Sequence, residues 1–458
     1  MTQAMRIAAL AALCAAPHVL RGQMPDAKIG LVRDPQLAAA LADISPVRIR
    51  QTDSTLVAFG TRNTFSDTMS AERGIGAARR WIYSELRAYS RECGGCLRVE
   101  YDAAVMPIAR ANGQQVNVVN VLARLPGRDT MRVVVMGGHY DSCICSVPAN
   151  GAAGGANDGV SDAPGANDDG SGVSAVIELA RVASKRYPKG LDATLIFALY
   201  ASEEQGTNGS RHLAERLRAG GYSIVAGMTD DIVGNIVAED GKTDSTSVRI
   251  FGVDSVPTGG GELVRYVWGL GQTYLPRFQV RPTFRLDRLG RGGDHGPFHR
   301  IGVPALRFTE RLENYKRQHL PTDAFKDVSF GYTAKVARLN LAAVISLAAA
   351  PPSPDSALQR RENTMSGGQK WALAWHTVPG AVSYEVLVRQ TWSPTYTRVI
   401  PVQGTTFVID EQLDDAWAAV RSVGGGGARS LTTVFATPAR SGRGAAPATS
   451  PPPASSGR

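Results

Sequence analysis

Histidines and carboxylates gather beside apolar runs or turn residues in five short stretches of this 458-residue chain: GGHYDS (137–142), PGANDDGSG (164–172), ASEEQG (201–206), TDDIVGN (229–235) and KRQHLPTD (316–323). Together they offer two histidines and three carboxylates as metal ligands plus one spare glutamate, the donors a two-metal hydrolase needs. His139 follows an apolar run, where a lone histidine is more often structural. Asp141 shifts that balance, because residues two apart on an extended chain point the same way and a carboxylate behind an imidazole fixes its tautomer. Asp168 sits in a Gly/Asn-rich turn entering a helix, where its two oxygens could bridge two cations. Capping the helix is the competing role, and Asp169 is placed to take it. Glu203 and Glu204 close another apolar run. Adjacent residues there diverge, so one can bind metal while its neighbour faces an attacking water. Asp231 follows a further turn, with Asp230 as its competitor. His319 lies in a polar loop with Asp323 four residues on.

These side chains need a scaffold that brings distant segments to one edge. The runs 116–125, 131–138, 193–201, 247–253 and 303–309 read as strands, β-branched or continuously apolar. Between them, 171–187 has apolar residues at helical spacing, and 208–220 ends at glycine as helices often do. From Pro35 to Ala350 the pattern predicts an α/β fold, a mixed and largely parallel sheet flanked by helices. PPSPD opens a linker at 351–363, and 364–438 alternates as short strands, predicting a small all-β sandwich. The Pro/Ser/Ala-rich end, 439–458, reads as a disordered tail.

Arg6 before an apolar stretch at 7–16, too short to span a bilayer, suits a signal peptide over 1–22. The expected location is therefore exported, periplasmic or extracellular, with no stable membrane insertion once the signal is removed. Four cysteines follow, Cys93, Cys96, Cys143 and Cys145, and export favours disulfides over a structural zinc on all four. Three pairings are open. The net charge of +9 comes from scattered arginines, which argues against a nucleic-acid partner.

The ordered series GGHYDS, PGANDDGSG, ASEEQG, DDIVG, GDHGPF and HLPTD resembles metallopeptidase family 28, which includes bacterial leucyl aminopeptidases. The resemblance implies a zinc-exopeptidase fold and two Zn2+ ions acting on peptide substrates. Carried over by residue, it implies His139 and Asp231 on one zinc, Glu204 and His319 on the other, and Asp168 bridging. It also implies Glu203 as general base and Asp141 as the partner of His139. Asp294 and His295 of GDHGPF match a loop near the cleft and receive no ligand role. The region 364–438 resembles a fibronectin type III domain, with Trp375 and Tyr384 as core aromatics and a surface for protein or carbohydrate contact. The Gly/Ala-rich join 143–166 is expected to form a lip on the cleft. A carboxypeptidase or glutaminyl cyclase on the same fold is one alternative, and a non-catalytic extracellular binding protein is another.

Overall fold

A computed structural model describes residues 25–148, 154–363, 369–410 and 413–436, so the expected signal peptide and tail lie outside the described residues. Eight strands make one sheet: β1 (Arg98–Ile108), β2 (Gln114–Leu125), β3 (Asp129–His139), β4 (Ala193–Tyr200), β5 (Ser223–Asp230), β6 (Ser247–Phe251), β7 (Gln279–Thr283) and β8 (Ala305–Glu310). Their spatial order is β1-β2-β4-β3-β5-β8-β6-β7. The central run β4-β3-β5-β8 is parallel throughout, whereas β1, β2 and the β6–β8 pairing are antiparallel. The sheet is thus mixed and largely parallel.

Among the described residues eight α-helices cover it: α1 (Pro35–Ala42), α2 (Pro46–Ala58), α3 (Gly74–Glu92), α4 (Gly172–Arg186), α5 (Asn208–Ala219), α6 (Gly260–Tyr274), α7 (His295–Arg300) and α8 (Phe330–Ala349). Central parallel strands are buried on both faces and so read as unbroken apolar runs; every residue of β4 is buried. Along β3, Val134 and Met136 pack toward α1–α4, α6 and α8, while Val133 and Val135 pack toward α5 and α7. Truncating a filled position such as Phe197, 1% exposed, removes ~3–5 kcal/mol by leaving a cavity.

The C-terminal region holds β9 (Leu358–Asn363), β10 (Gln369–Ala374), β11 (Ala381–Gln390), β12 (Arg398–Val402), β13 (Thr406–Ile409), β14 (Ala416–Gly424) and β15 (Thr433–Val434). They form two antiparallel sheets, β13-β10-β9 and β12-β11-β14-β15. Strand β9 corrects the expected linker at 351–363: LQRREN carries too many charges to read as a strand, yet an edge position tolerates and even favours them. Trp375 and Tyr384 meet edge to face at 5.5 Å inside this second core. Polar bonds join the two regions: Arg265 donates to the Pro394 carbonyl, Tyr266 to the Arg429 carbonyl and Tyr396 to Glu262. Among the described residues no helix is long and apolar enough to cross a membrane.

Candidate metal centre

Adjacent parallel strands end on the same edge of a sheet, so chain leaving β3, β4, β5 and β8 converges there without further contrivance. His139 is the last residue of β3, and Glu203 and Glu204 lie in the turn after β4. Asp231 directly follows β5, and His319 sits in the loop after β8. Asp168 enters from the turn Ala166–Ser171 that leads into α4. Two glycines make the approach possible. A Cβ on Gly138 would stand 2.9 Å from Asp169 Oδ2 and 3.1 Å from the Gly172 backbone, and Gly206 has φ +121°, a conformation L side chains rarely adopt.

The five expected ligands meet around Asp168. Its Oδ1 lies 3.2 Å from His139 Nε2 and its Oδ2 lies 3.1 Å from His319 Nε2. Asp231 Oδ1 is 3.9 Å from His139 Nε2, and Glu204 Oε2 is 3.1 Å from His319 Nε2. The result is two adjoining donor groups sharing one carboxylate. Asp230, by contrast, points away, accepting from Asn340 in the core. Asp141 stands beside His139 and also does a second job. His139 Nδ1 is nearer the Asp141 backbone carbonyl, at 3.2 Å, than its carboxylate, at 3.7 Å. The carboxylate also accepts the Glu203 and Glu204 amides at 3.1 and 3.2 Å, binding the end of β3 to the turn after β4.

The electrostatics ask for positive charge. Burial alone would strip the proton from the His139 imidazole, but Asp141, Asp168 and Asp231 outweigh it and hold the group well above its ordinary value. The Glu204 carboxylate, with Asp168 beside it, lifts His319 to about 11 against its own burial. Asp168 stays well below the ordinary carboxylate range, because His319 and His139 overcome its desolvation. Burial, reinforced by Asp231, Asp294 and Glu204, pushes Glu203 well above that range, the direction a proton-accepting base requires near neutrality. Among the described residues, buried Glu204 Oε1 has no hydrogen-bond partner, an orphan acceptor. Nitrogen and oxygen donors, crowded anions and an unfilled lone pair fit a zinc-type cation.

Several supporting residues escape a sequence reading. Asp169 Oδ1 does accept from Gly172 at the start of α4, at 3.0 Å, as expected of a cap. It also accepts from Ile232 N–H at 3.2 Å, while its Oδ2 takes the His139 amide at 3.1 Å. Asp323 accepts the Asn167 and Asp168 amides at 2.9 and 2.8 Å, so the acid four residues past His319 holds the bridging turn. Buried Arg307 pairs with Asp231 at 2.8 Å and Asp287 at 2.9 Å. Its signal was a charge inside the apolar run 303–309. The GDHGPF loop abuts the site, since a Cβ on Gly293 would lie 3.3 Å from Asp231 Oδ2, and burial pushes the Asp294 carboxyl up to about 7.

The cysteines close as two local pairs, Cys93–Cys96 and Cys143–Cys145, rather than as a four-sulfur zinc site. The second pair lies beside Glu204 and His319, so the join expected as a lip begins at the site. Residues 149–153 of that join are outside the described residues.

Known proteins resemble this chain at two levels. A Pyricularia oryzae protein named "Probable zinc metalloprotease" is 35% identical over 454 residues, covering 91% of this chain and 86% of that one. A like-named Pyrenophora teres f. teres protein is also 35% identical, covering 87% and 86%. Among solved structures, the Legionella pneumophila LapA aminopeptidase superposes with a TM-score of 0.53 at 21% identity over 69% of this chain and 75% of its own. The Porphyromonas gingivalis glutaminyl cyclase does so with 0.51 at 17% identity, over 65% and 97%. Those two likenesses concern the fold. Residues 120–344, which hold every residue of the cluster, match the description Peptidase family M28; with relatives of that identity along nearly the whole chain, the protein belongs to this metallopeptidase family.

Proposed function

We propose that this chain is a two-zinc exopeptidase that removes N-terminal residues from peptides. In this reading His139 and Asp231 would hold one ion, Glu204 and His319 the other, and Asp168 would serve both. The observation that carries it is the pair of near-equal distances from the two Asp168 oxygens to two different histidines. A bound zinc supplies a Lewis acid that polarises a carbonyl and acidifies water. Glu203, half-buried and with a raised proton affinity, takes a proton from water and returns it to the leaving amine. Asp141 keeps that glutamate in place through the 203 and 204 amides.

Export belongs to the same proposal, supported by the apolar stretch at 7–16 and by two disulfides suited to an oxidising compartment. The C-terminal sandwich we read as fibronectin type III-like, given three strands facing four around Trp375. Trp392, 74% exposed, offers a contact point for a protein or carbohydrate.

The test pairs metal analysis by mass spectrometry with digestion of a mixed peptide library. Two zinc ions per chain and loss of N-terminal residues only, with N-acetylated peptides untouched, is the expected result. Trimming from the C-terminus would make it a carboxypeptidase, one zinc with pyroglutamate formation a cyclase, and no turnover at full zinc loading a binding protein.

A further inference from the structure

The Cys143–Cys145 disulfide lies against one half of the metal centre and not the other. Both sulfurs, a Glu204 carboxylate oxygen and a His319 ring nitrogen all fall within 4.8 Å of one another. Cys145 Sγ is 4.0 Å from Glu204 Oε2, the same oxygen that lies 3.1 Å from His319 Nε2. Backbone holds this arrangement together, since the Ser146 amide donates to the His319 carbonyl at 3.1 Å. Cys143 and Glu204 are buried, whereas Cys145 and His319 are half-buried, so a small reductant has access from one side. The other pair, Cys93–Cys96, sits at the end of α3 with Cys96 beside the Ser184 carbonyl, and among the described residues it joins no such cluster.

The geometry points to a thiol–disulfide switch on the metal position of Glu204 and His319, an inference that rests on the two-zinc reading above. A catalytic zinc keeps a coordination place open, whereas a structural zinc is closed by four protein donors. As a disulfide, the two sulfurs are poor donors and leave Glu204, His319 and the shared Asp168 with an open place. As thiolates, Cys143 and Cys145 complete a four-donor set with Glu204 and His319, leaving Asp168 to the His139–Asp231 position. The exchange balances with a dithiol as reductant. Its first thiolate attacks one cysteine sulfur, its second displaces the mixed disulfide, and it leaves as a cyclic disulfide. Two electrons and two protons pass to Cys143 and Cys145, and the protons depart when the sulfurs take metal. Reduction thus converts an open site into a closed one, and reoxidation reopens it.

Cobalt(II) loaded into the full chain reports the change, because thiolate coordination produces an intense charge-transfer absorption in the near ultraviolet that nitrogen and oxygen donors do not. The oxidised protein is expected to bind cobalt without this band. A trialkylphosphine, which with water turns a disulfide into two thiols and a phosphine oxide, is expected to make it appear. The band should persist in Cys93→Ser/Cys96→Ser and be lost in Cys143→Ser/Cys145→Ser. In the unmutated protein, free thiols at 143 and 145 counted by alkylation, with cobalt bound and no band, would overturn the switch while leaving the two-metal reading intact. A band that survives Cys143→Ser/Cys145→Ser would overturn it equally. Oxidised protein that takes up no cobalt would remove both the switch and the reading beneath it.

Discussion

The two donor groups of the candidate metal centre are built differently. His139 and Asp231 issue straight from β3 and β5, are 1% and 5% exposed, and are backed by buried Arg307 and Asp169. His319 lies in a loop with a left-handed φ of +56°, its side chain 25% exposed, and its neighbours include a disulfide and the turn after β4. One half is set by the sheet, and the other by loops that can respond to their surroundings. The contrast teaches where rigidity is needed: a histidine and carboxylate on neighbouring strands define position, while access and adjustment belong to the loop side.

Changing the proposed base should have the largest effect. Glu203→Gln is expected to keep both zinc ions and lose ~10²–10⁴-fold in turnover, whereas His319→Ala or Asp168→Ala also loses metal; kinetics with metal analysis separates them. If Glu203→Gln kept full activity, the base would have to be another group. Arg307→Met removes the guanidinium shared by buried Asp231 and Asp287, leaving Asp287 only Arg288 as a cationic partner, and should cost ~3–5 kcal/mol in urea unfolding. Its loop-side counterpart, Arg317→Ala, breaks a partly exposed pair with Asp327 and should cost below ~1 kcal/mol. Equal losses would erase the proposed difference in rigidity. Asp141→Asn should weaken zinc binding by ~10–100-fold in chelator competition, since the carboxylate anchors the turn that bears Glu204.

The smallest effect serves as an outside reference in the sandwich. Burial opposes ionisation of Glu385, yet Arg421 and Arg429 outweigh it and hold the carboxyl below its ordinary value of 4.5. A depressed acid contributes stability that is complete above 4.5 and fades as pH falls through the lower folded value. Glu385→Gln should therefore narrow the stability gap between neutral and acidic pH, measured by thermal melting. Metal occupancy should stay unchanged, and a drop in zinc content would tie the sandwich to the centre.

Much of this was legible before any coordinates. The five strands read from apolar runs are all present, because strands inside a parallel sheet are apolar on both faces and carry an unbroken signal. Strands β1, β5 and β7 were not: β1 alternates with exposed positions, β5 is interrupted by Gly227 and ends in acids, and β7 contains Pro282. Helix α8 was also missed, since burial around most of its circumference removes the polar stripe that marks a helix. His139, Asp168, Glu204, Asp231 and His319 were nameable from motif order alone, and the structure brings them together. Arg307 and Asp323 were not assigned their supporting roles, and Asp169 only its capping one, because contacts with distant segments of the chain leave no local pattern.

One carboxylate carries a wider lesson. Asp169 gathers amides from the end of β3, the start of α4 and the segment after β5 into a single knot. A growing polypeptide that has not yet made β5 cannot tie it, nor can a fragment cut before residue 232. The anchoring of the His139 amide is thereby complete only once the chain has been made through residue 232.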